Sequence, residues 1–372
     1  MRREAGMSAA MVALCLLLWL SNPDFLGPSN LVNLLRQLSM LGIFAIGMGF
    51  VIISGGIDLS IGSVIGLTGV LIAKVSSPNA PGLGYPLWIG ILVGLCAALL
   101  VGLLQGLLIT RLRLQPFIVT LGGMLLLRGV SQTIVEGGTL SLGGSPLLRL
   151  ANGGVLSIGD HSLLPYPLLL FAAVALGAGY VLHFSVFGRY LYALGGSREA
   201  AEYSGIPVRG VETSSYVISS GLGGVAGVCY AAYIGQMSQQ VGIAYELYAV
   251  AAAVLGGCSL RGGEGTILGI VIGSALMRVI DNGINMFQLP YVDTEGLPRI
   301  WRLDPNWTFI IIGAVILLAV VLDQLVHVLQ AKRRLRLPGS LAPGTGESPP
   351  QPPARWYQRM GLAPGRRGAP PG

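Results

Sequence analysis

Ser54-Gly55-Gly56-Ile57-Asp58-Leu59-Ser60-Ile61-Gly62-Ser63, continued by Val64-Ile65-Gly66-Leu67-Thr68-Gly69, interrupts apolar sequence that runs from Gly42 before it to Ala73 after it. Glycine takes a left-handed conformation without steric cost, so Gly55 and Gly56 can close a helix. Asp58 or Ser60 can open the next one, its side-chain oxygen accepting from the unpaired first-turn amides. The positive end of that new helix also favours a carboxylate. The stretch reads as a stop, a break and a restart inside or beside a membrane, either a hairpin or a broken helix. The punctuation returns at Gly256-Gly257-Cys258-Ser259-Leu260-Arg261-Gly262-Gly263, which repeats the spacing Gly-Gly-x-x-Leu-x-x-Gly between apolar runs. Paired glycine-interrupted segments mark pathways in transporters. Gly55, Gly56, Asp58, Ser60, Gly256 and Gly257 are therefore candidate pathway residues, and an internal repeat stays open.

Working outward, the 372 residues are 53% hydrophobic and 10% charged, with a mean hydropathy of +0.71. Soluble domains carry about 25% charged residues, so the expected fold class is all-α, a polytopic transmembrane helix bundle. Apolar runs over residues 7–20, 33–54, 59–75, 87–110, 115–135, 163–184, 212–236, 245–256, 265–280 and 306–329 give about ten spans on the usual length criterion. An even number places both termini on one side. Arg2, Arg3, Arg111, Arg113, Arg189, Arg198, Arg209, Arg261 and the cluster Lys332 to Arg336 fall on that side, which basic residues mark as cytoplasmic. Residues 137–162 and 282–305 then form long outer loops, and residues 185–211 the long inner one.

Two domains follow: a transmembrane domain over 1–330 and a tail over 331–372. The tail holds eight Lys and Arg residues against Glu347 alone, so the net charge of +7 is a property of the tail. Rich in proline and without apolar periodicity, it is expected to be disordered and cytoplasmic. Its basic residues suit membrane lipid, and the charge is no signal for nucleic acid.

Several chemistries are excluded. No GxxxxGK[ST] occurs, and the only lysines are Lys74 and Lys332, so the chain has no P-loop for ATP. Gly221-Leu222-Gly223-Gly224-Val225-Ala226 fits GxGxxA but lies in an apolar span with no strand before it, where small residues let helices approach closely. Cys15, Cys96, Cys229 and Cys258 form no CxxC pair and read as small apolar packing residues. No nucleophile elbow or metal-ligand helix is present. No catalytic residue, cofactor or metal site is expected, and the chain is not read as an enzyme.

Three polar features remain. Arg128 lies mid-span with Glu136 eight residues on, roughly on one helix face; pairing within the bundle or snorkelling is the simplest account. Asp281, Asn282 and Asn285 end the ninth span at the outer face, where Asn and Gly are ordinary helix stops. In the inner loop, Ser197-Arg198-Glu199-Ala200-Ala201-Glu202-Tyr203-Ser204-Gly205 predicts a short helix, capped by Ser197 and ended by Gly205. It is either a free solvated helix or one that docks on a cytosolic partner.

SGGIDLSIGSVIGLTGV, YALGGSREAAEYSGI, VLGGCSLRGGEGTILGIVIGSALM and DNGINM, in this order and spacing, resemble the permeases of bacterial ABC sugar importers of the ribose, xylose and galactose branch. The resemblance covers residues 30–285 and resumes over 307–323. It implies a multi-pass permease subunit of the bacterial inner membrane that forms the pathway for a monosaccharide. It also implies three partners: a separate ABC ATPase, a periplasmic or lipid-anchored sugar-binding protein, and a second copy of the permease. Glu199-Ala200-Ala201-x-x-x-Gly205 matches the first half of the family's EAA coupling motif, so Ser197, Glu199, Ala200, Ala201 and Gly205 are expected to couple to the ATPase. The Ile-x-Leu-Pro that follows in other branches is absent. Residues 289–305 are an insertion, and the outer loop with Asp293, Glu295, Arg299, Arg302 and Asp304 is expected to meet the binding protein. A nucleoside or branched-chain amino-acid ABC permease remains the alternative, and behind it an ion-coupled secondary transporter using Asp58.

Overall fold

The computed structural model describes residues 2–79, 82–158, 161–292, 298–302, 304, 307–314, 317–318 and 321. Every expected apolar run inside that set is helical. In chain order these are α1 (Arg2–Ser21), α2 (Pro28–Ile53), α3 (Ile61–Ser76), α4 (Leu87–Arg111), α5 (Pro116–Val135), the short α6 (Leu147–Asn152), α7 (Tyr166–Phe184), α8 (Val186–Gly196), α9 (Arg198–Tyr203), α10 (Val208–Ile234), α11 (Tyr245–Leu255) and α12 (Ile267–Met286). Among the described residues six helices are long and apolar enough to cross a membrane: α2, α4, α5, α7, α10 and α12. The apolar part of α1, together with α3 and α11, is shorter. The last expected span, 306–329, is described only in part.

The chain is mostly helical, and each of the two long loops, 137–162 and 282–305, carries a short antiparallel pair. These are β2 (Gly154–Ile158) with β3 (His161–Pro165), and β5 (Gln288–Val292) with β6 (Pro298–Arg302). A third pair, β1 (Leu140–Ser141) with β4 (Gln236–Met237), ties the loop after α5 to the end of α10. The ninth span runs past its expected stop. Asn282 and Asn285 lie inside α12, where Asn285 donates to the Asp281 carbonyl and Asn282 bonds Asn30 at 2.9 Å. The helix ends at Phe287 instead.

The chain divides into units Met1–Asp323 and Gln324–Gly372; the second, which carries the expected tail, and Asp293 and Glu295 lie outside the described residues. Within the first unit α2 is the central helix, buried from Leu38 to Ile53 and packed by α7, α10, α11 and α12. Its glycines permit this, since a Cβ at Gly47 would sit 3.0 Å from the Ser219 backbone. Helix α10 packs on α3 and α4 through Gly223 and Gly224. That is the close-approach role expected for the GxGxxA pattern.

Candidate functional site

Helix α2 ends in a complete Schellman cap. Gly55, at φ +85°, donates to the Ile52 carbonyl, and Gly56 donates to that of Val51. Gly56 cannot be larger because a Cβ there would strike the Tyr216 hydroxyl. The chain then turns through Asp58 into α3. Asp58 is fully buried, and its carboxylate is satisfied on both oxygens. Oδ1 accepts from the Ser60 amide at 2.9 Å and the Ser60 hydroxyl at 2.7 Å; Oδ2 accepts from the Ser219 hydroxyl of α10 at 2.7 Å. Gln105 of α4 approaches Ser60 Oγ at 3.0 Å. One carboxylate thus caps the restart and fastens the break to α10. Ser60 takes the N-cap position without a side-chain cap bond.

The second break opens with the same cap. Gly257, at φ +89°, donates to Val254, and Cys258 donates to Ala253. The equivalence is Gly55 with Gly257, one residue out of phase with the Gly-Gly-x-x-Leu-x-x-Gly pattern. Gly256 instead packs against the backbone of Gly269 and Ile270 in α12, which allows these two helices to touch. Thr266 then caps α12 by accepting from the Gly269 amide at 3.0 Å.

The breaks meet each other and the end of α8. The Gly263 amide donates to the Ile53 carbonyl at 2.9 Å. A Cβ at Gly262 would lie 2.8 Å from Gly55 Cα, and one at Gly195 would collide with Ile53 O and the Gly263 amide. Tyr192 of α8 donates its hydroxyl to the Gly265 carbonyl at 2.6 Å. Burial first, and negative charge at the Cys258 sulfur second, push that phenol up to about 12. Gly55, Gly195–Gly196 and Gly262–Gly263 form one backbone joint.

Ser197 follows this joint directly. Its hydroxyl accepts from the Ala200 amide at 3.3 Å, opening α9. Gly205, at φ +78°, closes the helix with Ile206 donating back to Ala201 at 3.1 Å. Ala201 is buried and anchors the helix, while Glu199, Ala200, Glu202 and Tyr203 are exposed, Tyr203 to 92%. Arg198 donates to Glu212 Oε2 of α10 at 2.7 Å. The Glu212 face of α10 continues through Ser215, which bonds Ser54 at 3.3 Å, to Ser219 on Asp58. A cavity of about 710 Å³ lies here, lined by residues that include Ser54, Arg113, Ser197, Glu212 and Arg261.

Three pairings escape sequence reasoning. Arg128 does not meet Glu136, which lies 3.9 Å from Lys74. Its guanidinium is 3.7 Å from Glu246 of α11 and donates to the Gly242 carbonyl at 3.3 Å. Asp281 pairs with the buried Arg278 at 3.1 Å, and Arg278 also sits over the Tyr248 ring. Arg198 was legible as a first-turn residue but its partner Glu212 was not.

The family described as branched-chain amino acid transport system / permease component matches residues 30–320. The ribose import permease protein RbsC of Escherichia coli K12 is 34% identical, over 86% of this chain and 93% of its own. The xylose transport system permease protein XylH of the same strain is 32% identical over 85% and 90%, respectively. Its inner membrane ABC transporter permease protein YjfF is 36% identical over 84% and 88%. No solved structure matches the chain.

Proposed function

The chain belongs to the branched-chain amino acid transport system / permease component family, and from that premise we propose that it is the inner-membrane permease subunit of an ABC importer for a monosaccharide. The family description names branched-chain amino acids, whereas relatives matched along almost their whole length are named for ribose and xylose. The sugar reading follows those relatives. ATP is hydrolysed by a separate ABC ATPase, and sugar is delivered by a binding protein; two copies of the permease enclose the pathway. The finer topology is about ten spans with cytoplasmic termini, the tail over 331–372 being a cytoplasmic appendage. The outer loop over 282–305 receives the binding protein.

The observation that carries the reading is the position of α9. Its exposed face of Glu199, Ala200, Glu202 and Tyr203 suits a protein partner, with an aromatic anchor beside small residues and charges. Its inner side is tied by Arg198 to the helix that holds both ends of the first break. An ATPase seated on α9 would act on the two breaks directly, Gly55 to Ser60 and Gly256 to Gly257. In this reading Asp281, Asn282 and Asn285 brace the outer end of α12 and do not contact sugar.

The test is reconstitution. Proteoliposomes holding the permease and its ATPase should take up labelled ribose or xylose only with ATP and a sugar-binding protein present. Uptake of leucine or uridine in place of sugar would select the alternative. Uptake driven by an ion gradient without ATPase would select a secondary transporter.

A further inference from the structure

The apolar run at 245–256 is expected to cross as a helix, but α11 supplies only 11 residues. The chain reaches it by an irregular segment that descends along α3. A Cβ at Gly69 would strike the Met237 side chain, one at Gly66 the Val241 carbonyl, and one at Gly62 the Gly242 carbonyl and the Glu246 carboxylate. Stepping from Gly69 to Gly62 covers about 10 Å at 1.5 Å per residue. Residues 237–244 therefore lie at the depth of a helix that sits inside the bundle, and α11 begins there. Backbone without regular structure persists at membrane depth only where protein buries it or where it lines a water-filled space. This segment is partly buried: Met237 and Gly242 are buried, Ser238 and Gln239 are half-buried, and Gln240 and Ile243 are exposed.

A second observation lies at the start of α11. Glu246 is buried at 7% exposure. One carboxylate oxygen faces Arg128 at 3.7 Å, while the other, Oε2, lies over Gly62 of α3 and has no hydrogen-bond partner among the described residues. Such an oxygen costs stability. Gln132, one helical turn beyond Arg128, is exposed as well. Amide side chains facing out of an apolar bundle do not suit lipid. The carboxylate accepts hydroxyl hydrogens, and the guanidinium and glutamine amides donate to hydroxyl oxygens. The pair is neutral overall, so it presents hydrogen bonds without a net field, which suits an uncharged polyol.

We propose that the descending segment Ser238–Ala244 and the Arg128–Glu246 pair form the constriction where the hydroxyl groups of the passing sugar are bound. The inference rests on the sugar-permease reading and places its contact residues. The test uses the reconstituted complex of permease, ATPase and binding protein, with ribose, xylose and galactose as probes. Glu246→Gln and Gln240→Ala should each lower uptake by about threefold to tenfold, the effect of weakening or losing a hydrogen bond to substrate, and change the ratio among the three sugars. ATP hydrolysis stimulated by the binding protein should persist. Equal falls in uptake and hydrolysis, with the sugar ratio unchanged, would assign these residues a structural role and overturn the proposal. Should Glu246→Gln not assemble, Gln240→Cys in a chain with its four cysteines replaced by alanine keeps the question open to measurement. A charged thiol reagent should label it, and sugar turnover should slow the labelling; no labelling, or labelling indifferent to sugar, contradicts the proposal. A wild-type complex that takes up none of the three sugars would indict the sugar reading instead.

Discussion

The amide of Gly263 donates to the carbonyl of Ile53 at 2.9 Å, so the second break hangs on the last residue of the helix that enters the first. The two breaks touch at this bond, and Gly195, wedged against both of its partners, carries the contact to the start of α9. Replacing Gly195 by alanine puts a methyl group into backbone atoms that no rotamer change can clear. Gly195→Ala should insert normally but lower the thermal stability of the detergent-purified protein by several degrees, as overpacking costs about 1–3 kcal/mol. Gly196→Ala, whose Cβ would meet open space, is the control and should not move the midpoint.

Asp58 gives a chemical test of the first break. Asn keeps a carbonyl oxygen for the Ser60 amide and an N–H for Ser219, so Asp58→Asn should retain most sugar uptake. Asp58→Leu strands the Ser60 and Ser219 donors in a fully buried site. Each stranded donor costs about 1–3 kcal/mol, and the variant should be poorly folded by protease resistance in membranes. Strong loss in Asp58→Asn with normal folding would instead support a proton-carrying role.

The first-break glycines make a related prediction. Gly55→Leu forces a side chain into φ +85°, a conformation costing about 1–2 kcal/mol outside glycine, and Gly56→Leu drives into Tyr216. The double replacement should block sugar uptake while the protein still reaches the membrane. Normal uptake would remove the break from the mechanism.

Much of this was legible in the sequence because it rests on local chemistry. Left-handed glycines, a capping serine and apolar run lengths fix Gly55, Gly205, Ser197 and most helix bounds within a few residues. What was not legible depends on contacts between distant elements. Arg128 could be paired on paper only with Glu136 on its own helix, whereas its partner Glu246 arrives from α11. Residues 235–244 carry apolar Met237, Val241 and Ile243, so their irregular path along the α3 glycines left no signal in periodicity. Asn282 and Asn285 look like stops, and α12 runs through them because Asn30 and the Asp281 carbonyl take their hydrogen bonds. The glycine pattern shared by the breaks is one residue out of register with their caps.

The Arg198–Glu212 pair should be a working joint between α9 and α10. Charge reversal at either residue alone should lower the ratio of sugar moved to ATP hydrolysed. The double reversal, Arg198→Glu with Glu212→Arg, should recover a substantial part, the signature of direct coupling worth about 0.5–3 kcal/mol. Independent, additive losses in the double variant would show that the pair does not transmit.

Coupling in the proposed importer turns on α9 as the seat of the ATPase. The decisive measurement is capture of the ATPase by tagged permease in mild detergent, paired with binding-protein-stimulated hydrolysis in proteoliposomes, for Ala200→Arg and Gly205→Val. Ala200 lies on the exposed face, so arginine there should leave the fold intact and overfill the contact. Valine at φ +78° should distort the helix end. Loss of capture, or hydrolysis no longer stimulated by loaded binding protein, is the predicted result. Normal capture and normal stimulation in both variants would contradict the account and move the coupling contact away from α9.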